Sequence, residues 1–287
     1  RLVGSEMCIR DRKVAFRNLI KYKTQSLVSI IGLAVGFTCF ALSVLWIRYE
    51  MTYDNFHEGA DRIYLVRAHY ANEPGTSKFT PYPLMKYLQD KMPEIEAVTA
   101  FTAHYVKFRM EDTEQEIGMI AADSVFMNFF DIQLLKGTVN FLKCDGQEVA
   151  ITKEFAKRLF SKEEDALGKE VEVGRRVCKI GAIVSGWSNH SNIPYNILAP
   201  ARHSPQWGSS NEQLLIRVRE RTDIDAFRTK MSTVCINDIE KESELSDLLI
   251  TRMSALRYSD YVDKADVVIS FSYIFSVSYT HLRAHET

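Results

Sequence analysis

The amino-acid sequence predicts an α+β protein in which an N-terminal transmembrane helix is followed by a two-part extracytoplasmic domain. Three observations carry this prediction. Residues 24–47 contain no charged side chain, and a helix of roughly 20 residues is long enough to cross a hydrocarbon core of about 30 Å. Strand-like and helix-like patterns alternate from residue 49 onwards, which favours an α+β architecture. A β-rich stretch interrupts that alternation at residues 146–211.

The transmembrane helix is predicted at residues 26–48. A cleaved signal peptide has a shorter apolar core and a small-residue cleavage site, and the sequence that follows this run, WIRYEMTYD, offers no such site. A buried helix of a soluble protein seldom avoids charge over so long a span. Trp46 and Tyr49 lie at the far end, where amphipathic rings prefer the membrane–water interface.

Small side chains recur on this helix at spacings of three and four. They form one stripe, which includes a GxxxG pair: Ser29, Gly32, Gly36, Cys39 and Ser43. Small residues let helix backbones approach closely in lipid, so the stripe predicts a helix-packing surface. The alternative is that Gly and Ala are simply common in membrane helices.

The segment 13–25 is basic and amphipathic, with Lys13, Arg17 and Lys21 at four-residue spacing. Such a segment lies at an anionic membrane surface, which makes membrane lipid an expected partner. Because Lys and Arg beside a membrane helix stay in the cytoplasm, the N-terminus is predicted inside and the main domain outside.

Both ends of the chain look foreign to the fold. Residues 1–12 and 278–287 have no hydrophobic period and resemble translated sequencing-adapter read-through, so we expect both to be artefacts. The apolar run 266–277 is too short to cross a bilayer and is expected to be the start of a truncated second membrane helix.

Composition excludes several classes of function. The chain has 287 residues and a net charge of −1, which gives no electrostatic footprint for nucleic acid. Its five cysteines are too scattered to predict a disulfide framework or a zinc site. We therefore expect no metal, no cofactor and no catalytic residues in this chain.

The outer domain is predicted in three stretches. Its first part, 49–145, contains a strand at 63–69, a helix opened by Pro81 and Pro83 and running through Met92, one or two strands at 96–110 turned by the acidic patch 111–116, and a short aromatic helix at 124–130. The inserted part, 146–211, contains a strand at 149–151, a helix at 153–160 capped by Thr152, strands at 168–173 and 177–184, and a loop at 185–194. The last part, 212–265, contains a strand at 214–218 and a long helix capped by Thr222 or Asp223, with Phe227, Met231 and Val234 inwards.

These residues resemble one family of membrane proteins. YDNFHEGADRIYLV follows the first membrane helix directly, and with AFRNLIKYKTQSLVSIIGLAVG, TPYPLMKYLQDKMPEIEAV and AITKEFAKRLFSKEEDALGKEVEV it is similar to permeases of the MacB/FtsX type. The family motif after helix 1 comprises Tyr53, Asp54, Phe56, His57, Asp61, Arg62 and Tyr64. The resemblance runs from residue 13 to residue 277, and its specificity lies in the order of these pieces.

The resemblance implies a subunit of the bacterial cytoplasmic (inner) membrane with a periplasmic domain. In this family that domain has a "porter" part of strand–helix units and an inserted β-rich "sabre" part, which agrees with the divisions near residues 145 and 212. It also implies partners: an ABC ATPase subunit that binds the ATP, a second permease copy or a paralogous permease, and a periplasmic adaptor or effector. The sequence has no Gly-x4-Gly-Lys-Ser/Thr loop, so we expect ATP hydrolysis elsewhere than in this sequence.

Three further groups of residues can be interpreted either as structural or as functional. His57 with Glu58 and Asp61 suggests a metal cluster, but capping is preferred, with Asp54 and Asp61 contacting nearby backbone and Arg62. Ser188, His190 and Ser191 suggest a nucleophile with its base, but a turn is preferred, because no nucleophile elbow is present. A candidate partner surface consists of Trp187, Tyr195 and Trp207, and packing beneath loops is the equally favoured alternative.

Rival functions remain at this point. The leading hypothesis is an ABC-type export or mechanotransmission permease. The alternative is a membrane-tethered extracytoplasmic sensor or ligand-binding protein, which needs a cytoplasmic output domain. An anchored hydrolase lacks an assembled catalytic set.

Overall fold

A computed structural model describes Arg17 and residues 21–71, 74–110, 113–143, 147–160, 162–187, 190–239 and 244–256, the side chains of 234–239 excepted. Several predictions lie outside these residues: the foreign ends 1–12 and 278–287, the truncated helix 266–277, Lys13, Ser188 and the inward side chain of Val234. The chain divides into two compact units between Thr52 and Tyr53. Each unit is described by itself.

The first unit contains α1, Lys23–Glu50, whose 28 residues and mean hydropathy of 2.3 make it long and apolar enough to cross a membrane. Its hydroxyl groups are satisfied within the helix: Thr38 Oγ1 donates to Ala34 O and Ser43 Oγ donates to Cys39 O, each at 2.8 Å. All five residues of the small-residue stripe are exposed, and no atom lies within 4 Å of a Cβ built on Gly32 or Gly36. The stripe is therefore open, and its role in helix packing stays a prediction.

The second unit is built from twelve described strands and four described α-helices. The strands are β1 Ile63–Tyr70, β2 Thr76–Ser77, β3 Thr80–Pro81, β4 Ile95–Met110, β5 Thr113–Ala122, β6 Leu134–Gly137, β7 Glu148–Thr152, β8 Glu170–Val173, β9 Arg176–Val184, β10 Ile197–Pro200, β11 Ser210–Val218 and β12 Leu245–Arg252. The helices are α2 Pro83–Lys91, α3 Ser124–Phe129, α4 Lys153–Leu159 and α5 Ile224–Ile239.

These strands form one mixed sheet in the order β12-β1-β11-β4-β5-β10-β7-β9-β6. β2 pairs with β1, β3 pairs with β11, and β8 pairs with both β4 and β9. The pairs β5–β10 and β7–β9 are parallel, and the others are antiparallel. The sheet is therefore continuous across the predicted division at residue 145, through the contact of β5 with β10.

Strand β1 shows how the sheet is buried on both faces. Its alternate residues Ile63 and Leu65 enter one hydrophobic core, while Tyr64 and Val66 enter a second core on the opposite face. A strand covered on both sides needs an uninterrupted apolar run rather than alternation, and IYLV provides it. Helix α3 packs in the first core, and helices α2 and α5 pack in the second.

The antiparallel hairpin of β4 and β5 extends beyond these two cores. β4 has 16 residues; its first half pairs with β11 and its far end pairs with β8. There Phe108 of β4 joins a third core with Phe155 of α4. The end of this hairpin therefore packs with the predicted inserted part, although the hairpin precedes residue 146 in sequence.

The helix starts follow from local chemistry. Asp123 accepts hydrogen bonds from the amides of Val125 and Phe126 at the start of α3, and Thr152 accepts one from Phe155 at the start of α4. Asp223 accepts from two amides of α5, so of the two predicted caps it is the aspartate that performs this role. Such caps satisfy backbone donors that have no partner inside the helix.

Comparison with the predicted elements gives confirmations and corrections. The strand at 63–69, the aromatic helix at 124–130 and the capped helix after Thr152 are confirmed. Pro81 does not open a helix: it lies in β3, and only Pro83 occupies the first turn of α2. The acidic patch 111–116 was predicted to form a turn, but its residues from Thr113 onwards lie in β5. Strands β2, β3, β5, β6, β10 and β12 were not predicted. The boundaries 146–211 and 212–265 as folding units stay predictions.

Replacing Phe126 by alanine tests the first core. Phe126 is fully buried, with Phe101 and Phe130 at ring distances of 5.3 and 5.0 Å, so Phe126→Ala should lower the free energy of unfolding by about 3–5 kcal/mol. Urea unfolding of the full chain in detergent micelles, followed by tryptophan fluorescence, measures this. Val177, which is 69% exposed, is the control, and Val177→Ala should change stability by less than about 0.5 kcal/mol. Equal losses in the two variants would contradict this packing.

Candidate functional site

The residue that organises the candidate site is Asp54, the second residue of the second unit, which we call the outer unit after its predicted location. Its side chain is fully buried, and its backbone has a positive φ of 58°, an uncommon left-handed conformation that aspartate tolerates better than most residues. Its carboxylate accepts hydrogen bonds from Ser191 Oγ, from Asn192 N at 3.1 Å and from Asn192 Nδ2 at 2.7 Å. In return, Asp54 N donates to His190 O at 3.3 Å. The start of the domain is therefore fixed to a loop 137 residues further along the chain.

Asn192 extends this contact to a third segment. Its Nδ2 group donates to Asp54 Oδ2 and also to Met253 O, at 3.1 Å. Met253 begins a short 3-10 turn after β12, and this turn contacts the turn Ala60–Arg62. We call the meeting of residues 53–57, 190–193 and 253–256 the Asn192 junction. It joins the first residues of the outer unit to the last ones that the structure describes.

Aromatic rings pack beneath the junction. Tyr53 and His190 have ring centroids 3.9 Å apart, and His57 lies 4.8 Å from Phe130 and 4.9 Å from Trp187. The Trp187 indole donates from Nε1 to Ile193 O at 3.0 Å, which fixes the loop on its apolar support. Buried indole N–H groups need such a partner.

The position of Tyr195 corrects the predicted partner surface. Tyr195 is 5% exposed, packs against Trp187 at 4.6 Å and donates its hydroxyl to Ser185 O. Trp187 is half-buried, so these two rings pack beneath the loop and do not form an exposed patch. Trp207 is also half-buried and contacts Tyr87 edge-on at 6.3 Å; a partner contact there stays a prediction.

The rest of the family motif forms a second contact on the same segment. Arg62 Nη1 donates to Glu96 Oε2 at 2.6 Å and to Val218 O at 3.0 Å, which ties the segment to β4 and β11. Gly59 has a φ of 66°, and a Cβ there would lie 3.2 Å from Arg62 Nη2, so a residue without a side chain suits this turn. Tyr64 is buried in β1, whereas Phe56 and Asp61 are exposed.

The expected local contacts of Asp54 are therefore wrong. The sequence suggested contacts from Asp54 and Asp61 to nearby backbone and Arg62; instead Asp54 binds the distant loop. Arg62 forms its ion pair with Glu96, and the charge of Asp61 also contributes to the raised pKa of Arg62, in keeping with the expected pairing of these two residues. The physical reason is burial, since a desolvated carboxylate needs several donors and the Ser-Asn pair supplies them at one point. A signal was available in the Asn- and Ser-rich loop at 188–192, which we interpreted only as a turn.

The junction does not resemble a catalytic or metal centre. Ser191 Oγ donates to Asp54, while the imidazole of His190 packs against Tyr53 at an interplanar angle of 44°, so this serine and histidine are not arranged as nucleophile and base. Within the described part of the chain, no three His, Cys, Asp or Glu side chains converge as metal ligands. The arrangement can hold chain segments together, and that is its evident chemistry.

Burial also sets the electrostatics of the junction. Burial raises the pKa of Asp54, and the hydrogen bonds from Ser191 and Asn192 counter part of that rise. Burial, together with the positive charge of Arg217, lowers the pKa of His57 to about 4. His57 therefore packs as a neutral ring against Phe130 and Trp187 at neutral pH.

Comparisons with known proteins agree with this fold. The sequence matches the family described as the MacB-like periplasmic core domain over residues 26–234. The fold is similar to a domain assigned to a permease protein of Porphyromonas gingivalis, with 19% identity and a TM-score of 0.54 over 68% of this chain and 92% of that one. No curated protein matches the sequence.

Two other solved structures are less similar. One is the extracellular domain of the noncanonic ABC-type transporter YknZ from Gram-positive bacteria, with 14% identity and a TM-score of 0.48 over 66% of this chain and 99% of that one. The other is the periplasmic region of MacB from Actinobacillus actinomycetemcomitans, with 13% identity and a TM-score of 0.49 over 70% and 92%.

The lowered pKa of His57 predicts acid sensitivity. Between pH 6.5, the ordinary pKa, and about 4, the unfolded chain binds more protons than the folded one, so stability should fall as the pH falls through this window. His57→Gln should lose less stability than the wild type between pH 7 and pH 4.5. Thermal unfolding of the full chain in micelles at both pH values measures this.

His104→Gln is the matched control, because His104 is exposed on β4. This variant should keep the acid sensitivity of the wild type. Comparing each variant with itself at two pH values removes any general loss that the substitution causes. An unchanged pH dependence in His57→Gln would show that the acid response has another source.

Proposed function

Because the chain belongs to the MacB-like periplasmic core domain family, we propose that it is the permease subunit of an ABC-type export or mechanotransmission complex. In this proposal a partner ATPase subunit hydrolyses ATP in the cytoplasm, and the outer domain moves in response. The supporting observation is the Asn192 junction, which holds the start of the outer unit, an inner loop and the segment after β12 together. A domain fixed in this way can follow a moving membrane helix as one body.

The membrane orientation belongs to the same proposal. Lys21 and Lys23 lie immediately before the uncharged run 24–47 of α1, and basic residues next to a membrane-spanning segment favour the cytoplasmic side. The main domain then lies outside the cytoplasmic membrane, where a periplasmic adaptor or effector is its expected partner. The open stripe around Gly32 and Gly36 supports packing of α1 in a bundle or a dimer with a second permease copy or a paralogue.

The junction is suited to transmit force because its contacts are short-range and buried. The Asp54 carboxylate accepts from three donors, and charged hydrogen bonds contribute about 1.5–3 kcal/mol each. The Arg62–Glu96 pair adds a second attachment to β4. With both attachments, a displacement of the chain at Tyr53 reaches the sheet directly and is not absorbed in a loose linker.

Capture of the complex tests the proposed function. The full chain, purified by an affinity tag from membranes of its source bacterium in mild detergent, should bring with it a chain that contains a P-loop and hydrolyses ATP. An unrelated membrane protein with the same tag is the control. Recovery of a cytoplasmic signalling protein without any ATPase would favour the tethered sensor instead.

Replacing Asn192 tests the coupling step. In the captured complex, Asn192→Ala should leave ATP hydrolysis intact but reduce the ATP-dependent movement of the outer domain. The variant removes the amide bridge between Asp54 Oδ2 and Met253 O, while Ser191 Oγ and the Asn192 backbone N–H still bind the carboxylate. An environment-sensitive dye on Tyr105→Cys, a position 65% exposed on β4, reports the movement in a background from which all five native cysteines have been removed: Cys8, Cys39, Cys144, Cys178 and Cys235.

Asn211→Ala is the matched control, since the Asn211 amide is exposed and donates to Ser209 Oγ. This variant should keep both the hydrolysis and the dye response. Thermal unfolding, measured in parallel, separates a loss of coupling from a loss of fold. A full dye response in folded Asn192→Ala would contradict the role of the junction.

A further inference from the structure

A second buried polar cluster lies away from the Asn192 junction, around His203. The His203 ring is 13% exposed; its Nδ1 lies 3.2 Å from Glu212 Oε1 and its Nε2 lies 3.7 Å from Asp123 Oδ2. The ring stacks on Tyr82 at 4.1 Å, with an interplanar angle of 6°. An imidazole is therefore held between two carboxylates and against one aromatic face.

The three partners of His203 belong to separate elements. Tyr82 precedes α2, Asp123 caps α3, and Glu212 lies in β11, where it pairs with Thr80 of β3. Asp123 uses Oδ1 to accept the amides of Val125 and Phe126, which leaves Oδ2 facing the histidine. The His203 side chain thus connects its own segment of the chain to three others: the start of α2, the start of α3 and strand β11.

His203 itself lies in the connection 201–209 between β10 and β11. This connection contains no helix and no strand. Its first residue donates a backbone hydrogen bond to Ala122 O, and its last donates to Gln206 O within the connection. Side-chain contacts add to its attachment, and His203 supplies a charged contact.

The charges around the ring favour its protonated form. Burial opposes the imidazolium, but the carboxylates of Asp123 and Glu212 outweigh burial and raise the pKa of His203 to about 9. The titratable groups that face the ring are Tyr82, Asp123 and Glu212; burial and the two carboxylates raise the pKa of Tyr82, so it stays a neutral phenol. For Asp123, burial is outweighed by His203 and the α3 amides, so its pKa is lowered.

We propose that His203 is a protonation-dependent latch that fixes the connection 201–209 to the body of the outer domain. With the proton bound, the ring offsets the repulsion between the buried carboxylate of Glu212 and the half-buried carboxylate of Asp123. When the proton leaves, Glu212 and Asp123 repel each other across a neutral ring, and the connection loosens. Since the pKa is raised above its ordinary value of 6.5, the stabilisation is complete below pH 6.5 and is lost as the pH rises through about 9.

The connection 201–209 leads from β10, in the predicted inserted part, to β11. The latch therefore makes the attachment of that part sensitive to an alkaline exterior, independently of any ATPase. Trp207 lies in the same connection and packs on Tyr87 of α2, so its surroundings should change when the latch opens.

Hydrogen exchange of the full chain in detergent micelles tests the latch. At pH 7, His203→Gln should speed exchange of peptides that cover 201–211 by roughly tenfold, while peptides of β4 and β5 stay protected. In the wild type the same peptides, corrected for the intrinsic pH dependence of exchange, should exchange progressively faster as the pH rises from 6.5 to about 9. His104→Gln, on an exposed strand position, is the matched control and should behave as the wild type.

A second variant keeps the test decisive if His203→Gln folds poorly. Glu212→Gln retains the histidine but removes one carboxylate, so the pH at which 201–211 loosens should shift downwards, and the NMR titration of the His203 ring should shift with it. Equal exchange of 201–211 in the wild type and His203→Gln at pH 7, or a wild-type ring that titrates near 6.5, would overturn the proposal.

Discussion

The outer unit depends on the requirement that a buried carboxylate be hydrogen-bonded. Desolvating a charge costs several kcal/mol, and this is recovered only where donors converge on it. Asp54 finds its donors in a loop that is distant in sequence, and the loop in turn reaches the last described turn of the chain. The position of Asp54 thus determines where three segments meet. The aromatic rings around His57 and Trp187 then fill the space beneath them.

The two buried polar clusters solve the same problem by different means. At Asp54 the donors are neutral, a hydroxyl and an amide side chain, so no opposite charge compensates the carboxylate. At His203 a cation lies between two carboxylates and compensates their charge directly. Burial raises the pKa of Asp54 and lowers that of His57, so the junction responds to acid, whereas the imidazolium of His203 is lost only at alkaline pH. The domain therefore has two attachments that respond to opposite ends of the pH range.

Local chemistry explains which features the sequence could predict. The apolar run of β1, the Pro83 start of α2 and the Thr152 cap depend on residues within a few positions, and each is present as predicted. The junction could not be predicted in this way, because Asp54 and Asn192 are 138 residues apart and neither residue indicates the other. Short strands such as β10 exist because of their sheet neighbours. The third core likewise unites Phe108 and Phe155 across the division near residue 145, which the order of the predicted elements had suggested.

The unusual length of β4 has a geometric consequence. Its first residues lie beside the Arg62–Glu96 pair, and its far end carries Arg109 between Glu114 and Glu172. An extended strand of this length spans about 50 Å, so a tilt of roughly 10° at its base would sweep its tip through about 9 Å. A hairpin of this length has the geometry of a lever arm. A modest rotation near the first residues of β4 would therefore displace the tip of the hairpin by somewhat less than the rise of two turns of an α-helix.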